Sequence, residues 1–267
     1  MKSTLRHYAA AAIAALGFAL PASATSYGTD FTDLWWDPTE DGWGINLIQQ
    51  SGTIFATLFV YGADNSARWY VASQLEGSPN SFSGTLYQTT GPAFSAPWNN
   101  SAVTRNPVGS MLVTFSGPNS GTLSYSVAGF PPVIKTIQRQ TWRANNLGGN
   151  YIGGMTATAS NCSNPGDNGF ALITGLLTVQ HSGGNPSMRV DFRNSAGTSA
   201  TCTFTGGYTP QGRLGTVSGT YSCTLGSTGT FTMTEVDVSR NGFSATFSGQ
   251  DQFCSYNGYF GGVRDVL

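Results

Sequence analysis

From Gly44 to the C-terminus, short runs of alternating apolar and polar residues follow one another, each closed by Gly, Asn, Asp or Ser. A period of two puts successive side chains on opposite faces of a strand, whereas an amphipathic helix needs apolar residues three and four apart. The helical interval is absent. A helical bundle would also need Glu and Lys in quantity, and all charged residues together make up only 9% of the 267 positions, against about 25% in an ordinary soluble domain. The chain is therefore expected to be all-β.

Between Tyr151 and Val263 eight strands can be drawn: 151–160, 169–180, 187–194, 200–207, 214–223, 229–238, 242–249 and 255–263. Eight short strands with short links suggest an up-and-down, barrel-like meander, because closure removes both sheet edges. Gly-Thr-aromatic steps at Gly219-Thr220-Tyr221 and Gly229-Thr230-Phe231 suit such a barrel, with Gly at bends and the aromatic inside. Upstream, strands are expected at 44–50, 53–61, 67–72, 82–89, 109–116, 121–127 and 132–142, an antiparallel module that could be a sandwich or a barrel. Thr90 to Val108 holds three prolines and reads as an excursion. The run Ala144-Asn145-Asn146-Leu147-Gly148-Gly149-Asn150 reads as a linker, so the expected modules are 25–144 and 145–267.

The four cysteines, Cys162, Cys202, Cys223 and Cys254, all fall in the second module at spacings of 40, 21 and 31 residues. Zinc sites need close pairs such as CxxC. In the meander, Cys162 follows the first strand and Cys254 precedes the last, while Cys202 opens the fourth and Cys223 ends the fifth. Strand direction alternates, so all four lie at one end. First and last strands meet at closure and the fourth and fifth form a hairpin. The expected bonds are Cys162–Cys254 and Cys202–Cys223; the other pairings would cross the barrel mouth, beyond the ~7 Å Cα limit. An even cysteine count agrees with an oxidising compartment.

Residues 1–24 fit a secretory signal peptide. Lys2 and Arg6 precede the apolar run Tyr8–Leu20, then Pro21 and a small-x-small site at Ala22-Ser23-Ala24. The apolar run is shorter than the ~20 residues of a spanning helix, so export, with cleavage after Ala24, is expected. No later segment is apolar enough for a transmembrane helix. With 12 basic and 13 acidic residues there is no cationic surplus for nucleic acid.

Cleavage would leave one histidine, His181, in the turn-like Gln180-His181-Ser182-Gly183-Gly184. A site with two His ligands is then excluded, and G-x-S-x-G, S-x-x-K, H-E-x-x-H and Walker A patterns are missing. With every cysteine in a disulfide, no thiolate nucleophile remains. No cofactor is expected.

The densest constellation is Asp33-Leu34-Trp35-Trp36-Asp37-Pro38-Thr39-Glu40-Asp41-Gly42-Trp43-Gly44, with three of the six tryptophans and four of the thirteen acidic groups. Asp37 and Glu40 could serve a glycoside hydrolase as paired carboxylates, with tryptophan platforms. Asp37, Glu40 and Asp41 could bind calcium, although the D-x-[DN]-x-[DN]-G pattern is not met. The rings could pack beneath the first sheet as core, or form an aromatic surface that stacks on sugar faces or apolar ligands. Trp69 and Tyr70 are strand neighbours, so only one can face the core; Arg68 beside them could stack on a ring. Trp98 and Trp142 read as packing residues.

The segment Leu34 to Asn46 resembles a module of exported proteobacterial proteins in which a Trp-Trp-x-Pro-x-Glu-x-Gly-Trp-Gly run precedes a Phe-Ala-x-x-Phe-x-Tyr strand, here Phe55-Ala56-Thr57-Leu58-Phe59-Val60-Tyr61. Tyr87 to Phe94 and Lys135 to Gln140 also match, so the resemblance covers about 110 residues. It implies an exported all-β domain and carries no established activity. The second module is similar only in architecture to avidin-like or lipocalin-like meanders, and fold does not give function.

Together these features point to a secreted or periplasmic, non-enzymatic β-protein that binds a glycan or small apolar ligand at an aromatic surface or barrel mouth. The candidate ligand-binding residues are Trp35, Trp36, Glu40, Trp43, Trp69 and Tyr70. The alternatives are a carboxylate-dependent hydrolase acting on an extracellular polymer and a structural or adhesive surface protein. An outer-membrane barrel is a poor match, because the strands lack a lipid-facing aliphatic band.

Overall fold

A computed structural model describes residues 28–193 and 199–265. The expected signal peptide lies outside the described residues. The chain forms two closed eight-stranded antiparallel barrels in sequence order.

The first barrel comprises β1 (Asp33–Trp36), β2 (Gly44–Gln50), β3 (Thr53–Tyr61), β4 (Ala67–Ser78), β5 (Ser81–Thr90), β6 (Thr104–Gly117), β7 (Ser120–Val127) and β8 (Val133–Arg139). Each strand pairs with the next, and β1 closes on β8 through Trp35–Arg139 and Trp36–Gln138. The choice between sandwich and barrel is thus resolved as a barrel, with one more strand than expected. The extra strand, β1, lies in the Trp-rich segment, where Asp-Pro and Asp-Gly steps read as turn. Four residues suffice there because Trp35 is locked into the core and Asp33 into an ion pair. Strand β6 begins inside the proline-rich excursion, shortening it to 91–103.

Alternation sets the core. On β3, Ile54, Ala56 and Leu58 point inward and are fully buried, while Phe55 and Phe59 point out. One end is plugged by rings: Phe31 stacks on Phe115 with centroids 3.6 Å apart, and Trp35 and Phe82 pack around them. Up-and-down order sends loops 37–43, 62–66, 91–103 and 128–132 to the opposite end.

The second barrel comprises β9 (Gly149–Ser160), β10 (Gly169–Ser182), β11 (Asn185–Arg193), β12 (Ser199–Gln211), β13 (Leu214–Cys223), β14 (Thr228–Val238), β15 (Gly242–Asp251) and β16 (Ser255–Arg264). Strand β16 closes on β9 over a ladder from Ser255–Ser160 to Arg264–Tyr151. Both expected disulfides form. Cys202 and Cys223 are directly opposed on β12 and β13, and Cys162–Cys254 ties the β9–β10 loop to the β15–β16 turn. Phe204 packs against Tyr221, Phe231, Phe247 and Phe260 in the barrel interior.

The barrels meet through the β12–β13 turn. Gly212 donates its N–H to Thr141 Oγ1, and Arg213 donates to Thr32 O and pairs with Asp30. Beside it, the buried Arg139 pairs with Asp33 at 3.1 Å and donates to the carbonyls of Asp30, Thr32 and Pro118. Burial pushes the Arg139 guanidinium pKa down, and the bond to Asp33 opposes that shift.

Candidate functional site

The six residues singled out from the sequence divide between the inside and the outside of the first barrel. Trp35 is 0% exposed; its Nε1 donates to Phe31 O at 2.9 Å and Arg139 lies over its ring at 4.9 Å. It is a core residue and presents no face to a ligand, because β1 is a strand whose odd position points inward. Tyr70 also packs against the core, while its neighbour Trp69 faces out and is 52% exposed. Arg68 does not stack on a ring: it pairs with Asp64 at 3.0 Å across the β3–β4 turn.

Glu40 and Trp43 belong to the β1–β2 loop and form a clamp with β8. Trp43 Nε1 donates to Glu40 Oε2 at 2.8 Å, and Lys135 Nζ donates to Glu40 Oε1 at 2.7 Å. The ammonium sits 6.0 Å from the Trp43 ring centroid. Both carboxylate oxygens are therefore used to hold Trp43 against the barrel rim. The hydrogen bond and charge of Glu40 raise the Lys135 pKa. Asp37 Oδ1 accepts from both N–H and O–H of Thr39, and these bonds hold the carboxyl below its usual pKa. A general acid needs the opposite shift. Asp37, Glu40 and Asp41 do not converge as a cation cage; among the described residues no group of three or more His, Cys, Asp or Glu side chains does.

Outside the barrel, register builds an aromatic row. Trp36, on the outward face of β1, pairs with Gln138 and lies opposite Gly44, since Trp35 pairs with Ile45. Gly44 pairs with Phe59, and Phe59 with Trp69. The outer row across four strands is thus Trp36, Gly44, Phe59, Trp69, with Gly44 leaving a gap between the half-buried Trp36 and the 44%-exposed Phe59. Tyr61, 59% exposed, extends the row toward the loop end and lies over Gly42, whose φ of +97° lets the loop turn beneath the phenol. At that same end, loop 91–103 carries Phe94, 98% exposed, and Trp98, and loop 128–132 carries Phe130. The charges nearby are largely paired: Glu40 with Lys135, and Asp64 with Arg68.

The sequence did not single out Phe59, Tyr61, Phe94 or Phe130. A signal existed for the first two. Ile54 to Tyr61 is apolar on both faces of one strand, and a barrel wall can bury only one of them.

Two further expectations are corrected. His181 is not a solvated turn residue. It lies on β10, half-buried, with Nδ1 accepting the N–H of Leu147 and its ring edge-on to Tyr208; burial lowers its pKa. Trp98 and Trp142 are not packing residues: they are 64% and 76% exposed.

No protein-family model matches the chain, and no curated protein matches it.

Proposed function

We propose that the protein is exported and acts by non-enzymatic recognition, with the outer row Trp36–Phe59–Trp69 and the neighbouring Tyr61 as the contact surface and a carbohydrate as the ligand class. The observation that carries this reading is the row itself. Three of four adjacent strands place large rings in one cross-strand row on a solvent face, with Gly44 leaving a gap between them, next to loops that add further rings. Flat aromatic faces suit the apolar faces of sugar rings, and loop ends of a rigid scaffold are where binding residues concentrate. Export is supported by the leader-like N-terminus, by the resemblance at Leu34–Asn46 and by two disulfides.

The test is a polysaccharide pull-down with the full chain, followed by Trp69→Ala and Phe59→Ala. Both side chains project outward, so the variants should fold while retention falls at least ten-fold. Retention unchanged in both variants, or no retention on any polysaccharide, would overturn the reading.

A further inference from the structure

The second barrel carries a trough on its outside, about 630 Å³ in volume. Its floor is one cross-strand row. Asp237 of β14 pairs with Ser244 of β15, Ser244 with Gly261 of β16, Gly261 with Gly154 of β9, and Gly154 with Thr174 of β10. Five strands therefore contribute Asp, Ser, Gly, Gly and Thr, and four inter-strand spacings give a length of about 19 Å. The neighbouring strands leave no room for a side chain at the two glycines: a Cβ on Gly154 would strike the carbonyl of Ile173, and one on Gly261 that of Phe243.

The rows on either side form walls. One is Val263, Ile152 and Leu176, paired across β16, β9 and β10 and all largely exposed. The other is Tyr259, Thr156 and Leu172, with Tyr259 60% exposed. A second depression, about 820 Å³, shares Ile152 and Thr174 and continues over Leu176. At the far end a bulge interrupts β14 between Thr234 and Asp237, with Glu235 at φ +54°. The extra residue turns Val236 into the core and brings Asp237 outward onto the floor.

The chemistry selects the occupant. The hydroxyls of Thr174, Ser244, Thr156 and Tyr259 have no hydrogen-bond partner among the described residues, unlike Ser218 and Thr232 on the neighbouring face, which bond to each other. An acyl chain would fit the aliphatic wall but strip water from these hydroxyls without replacing it. A peptide strand would need a free sheet edge, and a closed barrel has none. The charged residue lining the first depression, Asp237, pairs with Arg213, so a charged ligand finds no free counter-charge on that floor. A linear sugar chain set on edge matches each feature: hydroxyls at its edge meet the polar floor, and its apolar faces meet the two walls.

We propose that this trough is a second binding site, for a linear uncharged glycan, independent of the aromatic row on the first barrel. The test uses the full chain carrying Trp69→Ala and Phe59→Ala, so that the first barrel's row is weakened, titrated with cellotetraose, chitotetraose, maltotetraose and dodecanoate by calorimetry and NMR. One tetrasaccharide should bind. Tyr259→Ala should weaken it at least ten-fold, and Ser244→Arg, which fills the floor from an exposed position, should abolish it with the melting temperature unchanged. Absence of binding by all three sugars, binding indifferent to both substitutions, or preference for dodecanoate would each overturn the proposal. Loss of polysaccharide retention in that double variant with tetrasaccharide binding intact would separate this site from the first.

Discussion

Replacing Asp33 with Asn tests whether the junction depends on a buried charge pair. Arg139 has no exposed side-chain surface and Asp33 only 13%. At 3.1 Å and an effective dielectric of about 20, their attraction is about 5 kcal/mol. The three backbone carbonyls around Arg139 still accept its protons in the variant, so part of the environment survives. Leaving a buried charge without its partner costs about 3–5 kcal/mol, and the expected loss is about 3 kcal/mol. All six tryptophans lie between Trp35 and Trp142 and none in the second barrel, so indole emission reports the first barrel alone. With a urea slope of about 2 kcal/mol/M, the emission midpoint should fall by roughly 1.5 M. The control is Asp64→Asn, which breaks the solvent-exposed pair with Arg68 in the same barrel. That change should move the midpoint far less. A shift below about 0.3 M for Asp33→Asn, or one equal to the control's, would refute the reasoning.

Four other outcomes follow from the geometry. Cys162→Ala with Cys254→Ala opens a 92-residue loop and should cost about 3–5 kcal/mol, read by far-ultraviolet dichroism, while the tryptophan transition stays in place. Burial, aided by the Asp251 carboxylate, holds the hydroxyls of Tyr221 and Tyr256 above the ordinary phenol pKa. The folded chain therefore keeps protons that the unfolded chain releases, so stability should be flat below about pH 10 and fall above it; thermal melts of Tyr221→Phe should show a shallower alkaline decline. Trp43→Phe removes the indole donor to Glu40 and should lower the first barrel's stability by about 1 kcal/mol, measured by urea titration. Gly212→Ala places a Cβ against the Asp33 carboxylate at a φ of +63° and should loosen the junction, seen as faster proteolysis between 140 and 148.

The second barrel was the more legible of the two. Its strands alternate cleanly, its turns are short, and four cysteines constrain the order. A register that opposes Cys202 to Cys223 follows from the same meander that brings β9 to β16. The first barrel was less legible at β1. Trp35 and Trp36 flank a peptide bond whose two sides face opposite environments, and sequence alone could not tell which ring is inside. Trp69 and Tyr70 posed the same question, and the alternation rule narrowed it to one of two. The outer row was hidden because it is assembled from strands up to 33 residues apart, by cross-strand registers that no single stretch of sequence displays. The trough was hidden for a different reason: its floor is made of two glycines, a serine, a threonine and an aspartate, residue types that in sequence mark turns.

The Cys162–Cys254 bond also governs how the chain responds to tension between its ends. Covalent linkage removes the 92 residues it encloses from the extensible contour. When pulled, the second barrel can release only the short flanks outside the bond, about 24 residues or ~80 Å at ~3.4 Å each. The first barrel has no crosslink and can pay out roughly 360 Å once β1 peels from β8, a closure of only two paired positions. Under load the protein is therefore a compliant N-terminal spring in series with an almost inextensible C-terminal block.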